Sequence, residues 1–98
     1  ELLSQMVELF ASAQGAMIER CREAIAEGDH EALQRAAHAL KGMIGNFETG
    51  RAYELAQRLE TIGKESIEID EASLVLADLE RQVMRLQDAL LALREEKR

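Results

Sequence analysis

At 98 residues the chain has room for one domain with a single core, and a domain of that size buries roughly 60–70% of the surface its unfolded chain exposes. Its net charge of −7, from 19 acidic and 12 basic residues, argues against nucleic acid and against an anionic membrane surface, both of which are held by clustered Lys and Arg. Proline is absent, the aromatics are Phe10, Phe47 and Tyr53, and the apolar stock is Leu, Ala, Ile and Met; this composition excludes a β-rich fold and predicts an all-α one.

Five helical segments are expected in chain order from the spacing of apolar residues. The first covers about Leu2 to Ser12, with Leu2, Leu3, Met6, Leu9, Phe10 and Ala13 on its inner face, and Ser12-Ala13-Gln14-Gly15 reads as a soft break. The second runs to about Glu27 with Met17, Ile18, Cys21, Ala24 and Ile25 inward; Gly28 ends it and Asp29 caps the next. The third, about His30 to Phe47, buries Leu33, Ala36, Ala37, Leu40, Ile44 and Phe47. The fourth, about Arg51 to Ile62, presents Ala52, Leu55, Ala56, Leu59 and Ile62, with Gly63 as its stop. The last begins after Asp70 as N-cap, with an Ile69–Leu74 hydrophobic staple, and runs nearly to the C-terminus.

That last segment carries a heptad seam of Ala72, Leu76, Leu79, Val83, Leu86, Leu90 and Leu93. Short connections imply antiparallel neighbours, so residues 1–98 are expected to form an up-down four-helix bundle from the second to fifth segments, with the short first helix capping it. The Arg94-Glu95-Glu96-Lys97-Arg98 tail reads as a frayed end. The seam packs inside one chain on this reading, giving a monomer, with pairing of two chains through the last helix as the alternative.

One cysteine, Cys21, rules out an intramolecular disulfide and fits a reducing compartment. No apolar run approaches the ~20 residues of a membrane span, and no signal-peptide pattern opens the chain. Glu1 in place of an initiating Met suits a domain cut from a longer protein, and the expected location is cytoplasmic with no membrane contact.

The third segment holds the chemistry. At 100° per residue, His38 lies ~160° from Leu40 and ~180° from Phe47, away from the core. Its side of the helix carries Glu31, Gln34, Arg35, Lys41, Gly42 and Gly45, so Arg35 and Lys41 form a small positive island around an imidazole. A neutral imidazole is a good nitrogen nucleophile near neutral pH. Lys41, one turn on, offsets the charge of a phosphoryl group placed on the ring. Two glycines in a helical stretch are each destabilising by roughly 1 kcal/mol relative to alanine, and their place on the polar stripe reads as clearance for a visiting protein. A solitary exposed helical histidine is ordinarily an inert surface residue; Lys41 and the glycines set this one apart.

Other patterns carry less. Glu27-x-x-His30 has the spacing of carboxylate-bridged metal bundles but lacks a second copy, so no metal site is expected. Gly42-x-x-Gly45 has KH-loop spacing but sits in a helix of an acidic chain. Cys21 is a small core residue, and no nucleophile–base–orienter set can be assembled. Tyr53 stands near the start of the fourth helix, where it flanks the docking face or packs on the bundle.

The stretch Ala37-His38-Ala39-Leu40-Lys41-Gly42, with Gly45 and Phe47 following, resembles the motif of histidine-containing phosphotransfer (HPt) domains of phosphorelays. The Ala24-Ile25-x-x-Gly28-Asp29 lead-in and the Leu59-Glu60 pair are also similar, so the resemblance spans nearly the whole chain. Met43 and Glu48 depart from the common pattern, at the edge of the docking face. The resemblance implies that His38 is the phosphoacceptor through Nε2, that Lys41 stabilises charge, and that Gly42 and Gly45 admit a receiver domain. It implies receiver domains and a sensor histidine kinase as partners, no cofactor in this chain, and Mg²⁺ held by the receiver. The expected function is that of a passive phosphorelay intermediate without its own kinase or phosphatase site. The alternatives are the phosphoacceptor domain of a chemotaxis-type histidine kinase and a non-catalytic helical adaptor.

Overall fold

A computed structural model describes residues 1–96, and within them the chain forms four helices: α1 Leu2–Glu27, α2 His30–Ile44, α3 Arg51–Lys64 and α4 Ile69–Glu96. Each helix packs on two others, α1 on α2 and α4, α3 on α2 and α4, which closes an antiparallel up-down bundle. The rod measures 46 × 18 × 17 Å.

The expected short capping helix does not exist. α1 is a single 26-residue helix through Ser12-Ala13-Gln14-Gly15. Gly15 is exposed, with nothing near the direction its Cβ would take, so no packing demand is met by bending there. A continuous helix has one phase, and that phase is set by Ile18, Cys21 and Ala24 in the lower half. It buries Phe10 as expected, but adds Val7 to the core and leaves Leu2 70% and Leu9 67% exposed, against the inner face expected from the first segment alone.

The α1–α2 connection is as its residues dictate. Gly28 adopts φ 67°, which a side chain disfavours, and its backbone N–H closes the end of α1. Asp29 accepts a hydrogen bond from Ala32 N at 3.0 Å and caps α2. α2 ends at Ile44, earlier than Phe47; residues 45–47 continue as turns, and Phe47 meets Phe10 edge-on with ring centroids 5.5 Å apart. α4 begins at Ile69, so Asp70 lies in its first turn, and no staple forms because Leu74 is 77% exposed.

Gly63 does not stop α3. The helix runs one residue further to Lys64, and Gly63 is buried where a Cβ would lie 2.6 Å from Gln34 N and 2.7 Å from His30 O. Ala37 on α2 and Ala52 and Ala56 on α3 are also buried. The α4 seam of Ala72, Leu76, Leu79, Val83 and Leu90 is spent within the bundle, while Leu93 is 39% exposed. No polar or charged residue is buried among the described residues. The expected frayed tail is helical as far as Glu96, with Arg94 reaching Glu8 at 3.2 Å; Lys97 and Arg98 lie outside the described residues.

Candidate functional site

α2 buries Leu33, Ala37, Leu40 and Ile44, and that phase turns His38 outward from an unbroken helical turn. Its side chain is 70% exposed. The ring is nevertheless held. Glu60, from the facing turn of α3, places Oε2 2.6 Å from His38 Nδ1. Glu60 Oε1 lies 2.6 Å from Lys41 Nζ, so one carboxylate bridges both α2 residues.

The direction of the first bond follows from chemistry. An ionised carboxylate only accepts, so Nδ1–H donates to Glu60 and the lone pair of the neutral ring sits on Nε2. Lys41's hydrogen bond holds the Glu60 carboxyl below the usual glutamate range, with the bond from His38 acting in the same sense. Reciprocally, Glu60 raises the Lys41 ammonium above its ordinary value. The network is therefore charged at neutral pH, and Nε2 is its only ring atom left open to an electrophile.

The residues expected around His38 divide into those brought to it and those used otherwise. Glu31, Gln34, Arg35, His38 and Glu60 line an open depression of ≈ 460 Å³ beside the ring. Arg35 pairs with Glu31 at 2.9 Å and Lys41 with Glu60, so the expected positive island is balanced by carboxylates. Lys41 is folded toward α3, its side chain only 20% exposed and its Nζ 6.0 Å from the Tyr53 ring centroid. Gly42 is exposed with nothing within 4 Å of an added Cβ, which is open clearance. Gly45 is different: its Cβ would meet Tyr53 Cε2 at 3.2 Å, so that glycine admits Tyr53 from α3.

Glu60 is the site residue that motif reading left without a role. Leu59-Glu60 stood out only as a similar pair, and helical phase within α2 says nothing about what α3 places across from it. The remaining titratable groups lie elsewhere. His30 Nε2–H donates to Ile67 O at 2.7 Å, tying α2 to the loop before α4. Burial pushes the Cys21 thiol up to about 11, which keeps it protonated and inert. Among the described residues no group of three or more His, Cys, Asp and Glu could hold a metal ion, and no helix is long and apolar enough to cross a membrane.

The described residues thus form an antiparallel four-helix bundle that displays one oriented imidazole from the middle of α2. A family model described as Hpt domain matches residues 5–96, and the chain belongs to that family. Membership carries histidine phosphotransfer in two-component signalling, with receiver domains and histidine kinases as the family's partners. No curated protein and no solved structure matches the chain.

Proposed function

We propose that the domain is a phosphorelay intermediate whose acceptor is His38 Nε2. The observation that supports this best is the 2.6 Å bond from Nδ1–H to Glu60 on a ring that is otherwise in solvent. In the transfer, Nε2 attacks the phosphorus of a receiver's aspartyl phosphate. The Nε2–P bond forms as the P–O bond to the aspartate breaks, and the aspartate leaves as a carboxylate. The Nδ1 proton stays on the ring, which gains positive charge beside the Glu60 carboxylate. The reverse sequence delivers the group to a second receiver.

This chain supplies position and electrostatics. The divalent ion belongs to the receiver, and no cofactor is assigned here. Lys41, parked on Glu60 about one turn from the ring, is the cation for the arriving phosphoryl oxygens. Glu31, Gln34, Arg35 and Gly42 form the face on which the receiver lands, and Gly45 seats Tyr53 beside it. The proposed state is a monomer in the cytoplasm.

The test is incubation of the domain with a radiolabelled phospho-receiver. The expected product is an acid-labile, base-stable label on this chain, absent from His38→Gln. Label that persists in His38→Gln overturns the site assignment.

A further inference from the structure

We infer that Gly63 is a positioning residue for phosphotransfer: its missing Cβ sets the α2–α3 separation at which Glu60 spans His38 and Lys41. This rests on the reading of His38 as acceptor.

Gly63 is the next-to-last residue of α3 and is buried, so its lack of a side chain has a steric reason. The reason is on α2. An added Cβ would sit 2.6 Å from Gln34 N, 2.7 Å from His30 O and 2.9 Å from Gln34 Cα. All three are backbone atoms of a capped helix, and none can rotate aside as a side-chain tip would. Relief to ordinary contact distance requires α2 and α3 to part by about 0.8 Å at this turn.

The consequence falls one turn away. Glu60 precedes Gly63 by three residues on α3, and His38 follows Gln34 by four on the antiparallel α2, so this close backbone approach adjoins the Glu60–His38 contact. Glu60 uses both oxygens at 2.6 Å, Oε1 on Lys41 and Oε2 on His38. A carboxylate engaged at both ends has little slack. Moving its Cα outward by the required amount stretches these bonds past the usual limit of about 3.2 Å, and the side chain can follow one partner only by releasing the other.

The experiment is ¹⁵N NMR of the imidazole in the full 98-residue chain, which reads the tautomer without any phosphoryl transfer. Wild type is expected to hold His38 as the Nδ1–H form. Gly63→Ala is expected to shift the ring toward Nε2–H and to slow phosphoryl acceptance about fivefold, with no further slowing when combined with Glu60→Gln. Val83→Ala, which opens the core on α4, is the control for lost stability alone and is expected to leave the tautomer unchanged. If Gly63→Ala does not fold, Glu60→Asp shortens the reach at unchanged helix spacing and is expected to give the same tautomer shift. A wild-type tautomer in folded Gly63→Ala, or in Glu60→Asp, overturns the inference. A wild-type protein with the Nδ1–H tautomer that accepts no phosphoryl group would instead remove the acceptor reading and leave the spacing role of Gly63 standing.

Discussion

Replacing Glu60 by Gln keeps the side chain's shape and removes its charge, which makes it the sharpest probe of the site. A charge-assisted hydrogen bond in a shielded setting is worth roughly 1.5–3 kcal/mol. The His38 side chain is 70% exposed, so water competes for the interaction and about 1 kcal/mol is the appropriate figure. The ring gains positive charge only as the Nε2–P bond forms, so this loss falls on the transition state more than on docking. At 1.36 kcal/mol per tenfold change, phosphoryl acceptance from a labelled receiver should slow about fivefold. Glu60's side chain is 17% exposed and offers a partner little to touch, so the apparent affinity should hold while the rate constant at saturation falls. Rapid-quench transfer assays across receiver concentrations separate the two. An unchanged rate at saturation, or a loss confined to affinity, would refute the role assigned to the carboxylate.

Three further outcomes follow from the same geometry. Gly42→Leu meets nothing within 4 Å of its Cβ, so thermal unfolding should occur at equal or higher temperature while transfer slows at least tenfold; unimpaired transfer would show that the receiver does not approach there. Asp29→Ala removes the cap on Ala32 N and should cost about 1 kcal/mol, a drop in Tm of roughly 4–8 °C for a domain of this size, with the transfer rate intact. Acid should weaken the fold through Glu60 and Asp78, held below their ordinary ranges chiefly by hydrogen bonds from Lys41 and Arg51. Their stabilisation is complete above the normal carboxylate range and is lost as pH falls through the depressed values. Circular dichroism on acidification should therefore show Glu60→Gln losing less than wild type, and equal losses would contradict the assignment.

Most of the bundle could be read from its residues because helical phase is a local property. Leu33, Leu40 and Ile44 place His38 on the outside without reference to any neighbour, and Gly28-Asp29 announces one helix end and the next start. The misreadings share a cause. A glycine in a string of letters looks alike whether it ends a helix, fills open water or admits another backbone. Gly15 does the second and Gly63 the third, and both were expected to interrupt a helix. Leu2 and Leu9 look inward on a short segment, but the continuous α1 takes its phase from Ile18 and Cys21. Glu60 escaped for the complementary reason: its role lies in a distance between two helices, and no periodicity within either encodes that distance.

The uninterrupted helical turn beneath His38 has a consequence for traffic. A ring displayed from a rigid post cannot swing between two clients, so on the proposed role donor and recipient must take turns at a single berth. Whichever arrives first excludes the other until it departs. Throughput is then governed by how readily each visitor lets go, and an overly adhesive one would throttle the exchange.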